Sequence, residues 1–306
     1  MQFGLHITAF QPSTGQAADL FPELRQRALW AETAGFQYLS FQDHLRQFSR
    51  SGAQEDPILE PWVTLAALAE ATSTIQLLTL VSNVSYRSPA LLAKMGATLD
   101  VISGGRLVLG IGAGGMRGEQ EDYGFDLPSN AMLAERLHEA LRIIKALWRE
   151  PRVTYEGAFW QLRDAVVEPK PLHTPRVLIG GSGQHTLRVA AQEADLCDFN
   201  MIPSEAVTDK LTALHGHLRE AGRDVGDVEV TSLQRLLLAP TREQAVGKLG
   251  GRTGYASLTG TPREIVVAIK AFQDAGVHTL FIMVPNNDQE TLELFEREVM
   301  PAFVGG

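Results

Sequence analysis

The chain has 306 residues, 44% of them hydrophobic, and 27 Lys and Arg against 36 Asp and Glu give a formal net charge of −9. The length suits one (β/α)8 barrel with loop insertions as a single domain over 1–306, and the apolar share suffices for a packed core. The acidic balance excludes nucleic acid as a partner, because phosphate binding needs a basic surface. A single cysteine, Cys197, excludes an intrachain disulfide. No apolar run reaches the roughly 18 residues that span a bilayer, and the opening MQFGLHIT has no basic stretch before an apolar one. A soluble cytoplasmic protein is expected.

Phe3 to Thr8 reads as a first strand, and Leu20 to Gly35 as a helix with Leu24, Ala28, Leu29 and Ala31 on one face. A second strand, Gln37 to Phe41, delivers Asp43-His44 to its C-terminal end. The polar stretch Leu45 to Pro57 has the length and place of an active-site lid. A helix over Trp62 to Thr72 follows. Ile75–Val81 and Leu107–Ile111 are β-branched runs of strand length, with a helix between them. Pro89 suits the first turn of that helix, Leu91, Leu92, Met95, Leu99 and Ile102 recur at three- and four-residue steps, and Ser103-Gly104-Gly105 ends it. Strand, helix, strand in one sheet means parallel strands and a right-handed crossover.

Met116 to Asn130 reads as a long loop, and Ala131 to Trp148 as an amphipathic helix with Leu133, Leu137, Leu141, Ile144 and Leu147 in line. Val153 to Leu162 reads as two short antiparallel strands about a Tyr155-Glu156-Gly157 turn. Strands over Val177–Ile179, Asp195–Ile202, Val228–Leu237 and His278–Val284 alternate with helices over Thr186–Glu193, Ala206–Ala221 and Asp288–Met300. A further helix opens at Thr261-Pro262-Arg263-Glu264, with a cap, Pro at its first position and an acid in its first turn. A glycine-rich GGRTG lies at Gly250–Gly254. Eight β/α units result.

In such folds the ligand sits at the C-terminal ends of the strands. Three stretches there carry chemistry. Gly112-Ala113-Gly114-Gly115 lets a flat ligand approach the backbone. Gly180-Gly181-Ser182-Gly183 ends a strand and opens a helix: it is either a phosphate cradle, with converging N–H groups and a helix dipole, or a tight turn that binds nothing. Asp43-His44 is either a site pair or a turn cap. Arg87 reads as a cap or an ion pair, Asp100 and Arg106 as a structural pair at the barrel's other end, and Glu60 and Trp62 as core packing in preference to a place near the mouth. Glu119 and Glu121 read as loop-solvating acids or partners of an arginine. The eight histidines show no metal-ligand spacing, and there is no HExxH and no Gly-x-Ser-x-Gly nucleophile turn.

The segment from Leu78 through YRSPALLAKMGATLDVISGGRLVLGIGAG resembles the signature of the luciferase-like monooxygenase superfamily, and more narrowly its branch that uses the deazaflavin coenzyme F420, with FMN-using relatives mixed in. Supporting pieces recur along nearly the whole chain. The resemblance implies a TIM barrel of the bacterial-luciferase type. It implies that the Gly180, Gly181, Ser182, Gly183 loop holds the cofactor phosphate, that Asp43 contacts the ring's polar edge, and that His44 is the proton donor or charge stabiliser near the reacting carbon. Ala113 and Gly114 would border the ring, and Ser82 would touch its edge. Thr79-Leu80 matches the family's non-proline cis peptide, a bulge behind the ring. Gly115 stands where the deazaflavin-dependent sugar-phosphate dehydrogenases carry a glutamate base, which speaks against that activity.

A coenzyme F420-dependent hydride transfer to or from a small organic substrate is thereby implied, in a family whose members are usually dimers that bury helices on one flank of the barrel. With FMN the reaction becomes that of a monooxygenase fed reduced flavin by a separate reductase. A barrel that binds flavin without turnover and a phosphosugar isomerase are the other readings.

Overall fold

The computed structural model describes residues 1–47, 53–251 and 257–303. Its strands are β1 (Gln2–Ile7), β2 (Tyr38–Phe41), β3 (Gln76–Thr79), β4 (Ser82–Asn83), β5 (Val108–Gly112), β6 (Val153–Glu156), β7 (Gln161–Ala165), β8 (Arg176–Gly180), β9 (Leu196–Asp198), β10 (Glu229–Leu238), β11 (Leu258–Gly260) and β12 (Thr279–Met283). The helices are α1 (Leu20–Thr33), α2 (Pro61–Ala71), α3 (Pro89–Ser103), α4 (Arg117–Asp122), α5 (Asn130–Arg149), α6 (Gln184–Glu193), α7 (Ser204–Glu220), α8 (Arg242–Gly247), α9 (Pro262–Asp274) and α10 (Gln289–Leu294).

The strands pair in parallel in the order β3-β2-β1-β12-β10-β9-β8-β5-β4. The sheet closes because β3 runs on into β4: Ser82 and Asn83 pair with Ile111 and Gly112 of β5, and Leu77 bridges to Leu107. The staves of the barrel are therefore β1, β2, β3 with β4, β5, β8, β9, β10 and β12, with the expected β6–β7 hairpin outside.

Two apolar layers hold the barrel. Period-2 alternation turns Tyr38, Leu78, Val108, Leu178, Leu196, Leu233 and Phe281 into the barrel, where they pack on one another. The alternate residues, such as Leu39, Leu77, Leu109, Ile179 and Cys197, face the helices. Gly4 of β1 has no side chain because Phe281 fills its place: a Cβ there would lie 2.3 Å from the ring. The amphipathic stripe of α5 is buried as expected, from Leu133 to Leu147.

On α3 the buried face is Leu92, Ala93, Gly96, Ala97 and Leu99, while Leu91 and Ile102 point outward at 51% and 45% exposure. The small residues face inward because α3 packs closely on its neighbours: a Cβ on Gly96 would stand 2.9 Å from Trp148. Asp100 and Arg106 do not pair with each other. Asp100 accepts from Leu172 N, and the Arg106 guanidinium satisfies the carbonyls of Ala69 and Thr72 at the C-terminal end of α2 and that of Ile75 just before β3. Those orphan helix carbonyls attract a cation more strongly than a carboxylate already occupied elsewhere. The expected lid falls partly on residues 48–52, outside the described residues, as do residues 252–254 of GGRTG. Among the described residues no helix is long and apolar enough to cross a membrane.

Candidate active site

The C-terminal strand ends open into a cavity of about 360 Å³. Its wall includes Asp43 and His44 after β2, Leu80, Val81 and Asn83 between and within β3 and β4, and the run from Gly112, the last residue of β5, to Met116. Gly180, Gly181, Thr186, Asp198, Asn200 and Leu233 complete it. Of the residues expected from the sequence, Asp43, His44, Leu80, Ala113, Gly114, Gly180 and Gly181 meet around this one space. Thr79 and Ser82 stand behind the wall, 1% and 0% exposed. Ser182 and Gly183 continue the glycine loop beyond the lining.

The floor is built around Val81. The non-proline cis bond lies between Leu80 and Val81, one residue later than expected. Regular pairing continues through Leu80, whose N–H still donates to Phe41 O at 2.8 Å, so the chain departs from the strand only after it. The Val81 side chain then seats against two strand-end glycines. A Cβ on Gly112 would be 2.6 Å from Val81 Cγ2, and one on Gly180 2.9 Å from Val81 Cγ1. Thr79 and Ser82 tie the crossing down: Thr79 Oγ1 donates to Gly110 O, lies 3.0 Å from Ser82 Oγ, and Ser82 Oγ accepts from Trp62 Nε1 at 2.9 Å. Trp62 is thus buried packing with its one polar atom satisfied.

Asp43 forms one wall, and its carboxylate is already held. Arg87 donates to both oxygens, at 2.7 and 3.0 Å, and Asn83 N adds a third bond at 3.1 Å. Arg87 also reaches Glu60 at 2.6 Å, and Glu60 caps α2 through Val63 N. The ion-pair reading of Arg87 is the correct one.

His44 has a partner that the sequence did not suggest. Its Nδ1 is 2.9 Å from Glu119 Oε2. Glu119, on α4, is 2% exposed. It accepts from Tyr86 Oη at 2.5 Å and from the backbone N–H groups of Leu45 and Arg46 at 2.9 and 3.3 Å. Burial pushes its carboxyl upward, but the hydrogen bonds from His44 and Tyr86, the charge of His44 and the Leu45 amide outweigh it and hold the pKa down at about 2. Glu119 is therefore neither loop-solvating nor paired with an arginine side chain, whereas Glu121 is exposed. Burial also pushes the Tyr86 hydroxyl well above its ordinary range. Deeper in the barrel, His6 stays neutral: burial first, then the positive charges of His44 and Arg235, lower it to about 3, and its Nδ1 lies 2.9 Å from Ser40 Oγ.

Asp198 at the end of β9 is the other titratable group of the wall. Burial raises it to about 7 against a single bond from Thr231 Oγ1, 2.8 Å away. An acid at a barrel strand's C-terminal end is a readable signal, the same one that marks Asp43. Glu119 gave no such signal, because a charged run after a glycine loop reads as solvated.

The glycine loop fits an anion. Gly181, at φ +130, spends its N–H on Asp198 O at 3.0 Å, whereas α6, with Gly183 as its N-cap, has no side-chain cap on its first amides. Lys210 of α7 brings its ammonium within 3.1 Å of Ser182 O. Open amides, a helix N-terminus and a lysine are the elements of a phosphate site. Among the described residues no group of His, Cys, Asp and Glu could hold a metal ion.

A family model described as luciferase-like monooxygenase matches residues 1–258. The F420-dependent glucose-6-phosphate dehydrogenase of Microbacterium testaceum is 29% identical, over 91% of this chain and 92% of that protein. An F420-dependent secondary alcohol dehydrogenase in complex with an F420-acetone adduct superposes with a TM-score of 0.84 at 20% identity, covering 98% of both chains. An EDTA monooxygenase from Chelativorans sp. superposes with a TM-score of 0.83 at 14% identity, covering 98% of this chain and 93% of that one. At these identities the solved structures establish the shared barrel.

Proposed function

The chain belongs to the luciferase-like monooxygenase family, and from that premise we propose that it is a coenzyme F420-dependent oxidoreductase. It exchanges hydride with a small organic substrate of the alcohol–carbonyl type at the barrel mouth. Two of the three relatives named above carry that cofactor in their names. The observation that carries the reading is the convergence on one cavity of Asp43-His44, the Leu80–Val81 bulge and the Gly180-Gly181 loop.

The residues fit such a cofactor. The floor over Val81 is flat because Gly112 and Gly180 have no side chains to lift it, and the loop before α6 offers amides and Lys210 to a phosphate. Coenzyme F420, when bound, supplies two-electron hydride chemistry; the chain supplies the rest. The Val81 backbone supports the ring, Ala113 and Gly114 border it, and the loop at Gly180 to Gly183 anchors the phosphate end. His44 holds or accepts the proton that accompanies hydride movement at the substrate oxygen. Gly115 leaves the substrate side open and without the glutamate that the resembled sugar-phosphate enzymes carry, which speaks against a sugar phosphate as the substrate.

The runner-up is an FMN-dependent monooxygenase supplied by a separate reductase. It is favoured by the likeness to the EDTA monooxygenase. A homodimer is the assembly we propose, supported by apolar side chains left outward on neighbouring helices, Val63 of α2 at 71% and Leu91 of α3 at 51%.

Turnover separates catalysis from binding. With oxidised coenzyme F420 and a panel of secondary alcohols, absorbance of the deazaflavin should fall. In His44→Ala the rate should drop by about 10²–10⁴ while cofactor affinity stays within a few-fold. Equal rates in both proteins would remove His44 from the mechanism, and no turnover of any alcohol or carbonyl would favour the runner-up.

A further inference from the structure

The buried contacts of His44 go beyond naming it as the proton-handling residue. Glu119 reaches it from α4, a short helix 75 residues further along the chain, and is more deeply buried than His44 itself: the two side chains are 2% and 23% exposed. A buried carboxylate must be paired or fully hydrogen-bonded. It has about four lone-pair positions to fill. Four donors surround it: His44 Nδ1 and Tyr86 Oη on Oε2, and Leu45 N and Arg46 N on Oε1. Two of these are backbone amides, which cannot turn round. If Nδ1 lacked its proton, its lone pair would face Oε2 at 2.9 Å and the carboxylate would lose one of its four donors.

We propose that Glu119 is the positioning residue that fixes His44 in the tautomer with the proton on Nδ1, so that Nε2 is the nitrogen that exchanges a proton with the substrate. The proposal rests on the functional reading above for the role of His44, but not for the tautomer. In alcohol oxidation the O–H bond breaks as Nε2 takes its proton. The oxidised deazaflavin, when bound, would supply the two-electron acceptor for the carbon-bound hydrogen and its electron pair. The resulting imidazolium carries one positive charge against the one negative charge of Glu119. In the reverse direction Nε2 returns the proton to the carbonyl oxygen. The Nδ1 proton never leaves; its function is to hold the ring and neutralise it. A carboxylate behind a histidine plays this role in other acid–base sites, where its loss lets the ring adopt the wrong tautomer.

The test is Glu119→Gln, which keeps the shape but puts an amide, with both a donor and an acceptor, against Nδ1. Nitrogen NMR of ring-labelled protein without cofactor should show the Nδ1–H tautomer of His44 in the parent and a mixed or Nε2–H population in the variant. Turnover with coenzyme F420 should fall about 100-fold or more in kcat, with KM and cofactor affinity changed less than about threefold. Glu119→Asp, which retains the carboxylate, should recover part of kcat. Tyr86→Phe removes only one of the two side-chain donors to Glu119 and leaves its carboxylate against Nδ1, so it should keep the tautomer and most of kcat; if Glu119→Gln does not fold, an Nε2–H tautomer in the parent would by itself overturn the proposal. An unchanged tautomer in Glu119→Gln, or a tautomer lost in Tyr86→Phe, would overturn the proposal. So would a kcat loss in Glu119→Gln matched by an equal loss of cofactor binding. Failure of the parent to bind coenzyme F420 would instead strike the functional reading, since the NMR experiment needs no cofactor.

Discussion

Replacing Arg87 by Met should destabilise the protein sharply, although Arg87 is a loop residue that does not line the cavity. Asp43 has a side chain 1% exposed, and both its oxygens depend on the guanidinium, at 2.7 and 3.0 Å. Met keeps the length and apolar stem of the side chain, so the variant isolates the charge. Breaking a buried pair by removing one partner costs about 3–5 kcal/mol, because the other charge is left uncompensated. Asp43 keeps the Asn83 amide, and Arg87 is itself 13% exposed, which places the cost near the lower end, about 3 kcal/mol. For a chain of this size that is roughly 6 °C in Tm. Glu60→Gln is the control. Glu60 is 39% exposed and its bond to Arg87 is screened by water, so its loss should cost no more than about 0.5 kcal/mol. The double variant Asp43→Asn with Arg87→Met should recover most of the loss, since no lone charge remains buried. The assay is thermal unfolding followed by circular dichroism at low ionic strength. A Tm within about 1 °C of the parent in Arg87→Met, or a double variant as unstable as the single, would refute the view that Asp43 is buried as an anion held by Arg87.

Three further outcomes are expected. Gly112→Ala places a methyl 2.6 Å from Val81 Cγ2; it should cost about 1–3 kcal/mol of stability and weaken cofactor binding, and Val81→Ala in the same chain should restore both, read by unfolding and by fluorescence titration. Asp198 has its folded pKa raised from 3.8 to about 7, so the folded state holds a proton that the unfolded chain releases, and stability should decline as pH rises through that window. Asp198→Asn, which still accepts from Thr231, should flatten the Tm-against-pH curve there and exceed the parent at pH 8. His6 behaves oppositely. Its folded pKa of about 3 lies below 6.5, so stability should be lost as pH falls through that range, and His6→Gln should reduce the loss in acid unfolding.

The barrel was legible because its staves are short apolar runs that alternate with amphipathic helices, and α5 shows its buried stripe directly. The C-terminal ends of β2, β5 and β8 were legible as a candidate site because small residues and an Asp-His pair interrupt apolar strands there. The rest was hidden for physical reasons. Leu91 and Ile102 fit a helical stripe, yet α3 buries its Ala and Gly face, since close packing against Trp148 leaves no room for larger groups. Helix α4 lies in a stretch that reads as loop, because its six residues after a glycine run carry no apolar periodicity. Glu119 is buried by contacts made across the fold to His44 and Tyr86, and no local pattern encodes them. The bulge lay one bond later than expected because pairing to β2 persists through Leu80 N. Asp100 and Arg106 illustrate the limit of reading charges in pairs: each found backbone groups instead.

The most direct measurement is a paired fluorescence titration of the purified protein with coenzyme F420 and with FMN, under identical conditions. Saturable binding of the deazaflavin, tighter than that of FMN by tenfold or more and weakened by Lys210→Ala, is the expected result. Binding of FMN in preference would transfer the assignment to a reductase-fed monooxygenase, and binding of neither would contradict the assignment of this cavity as a cofactor site.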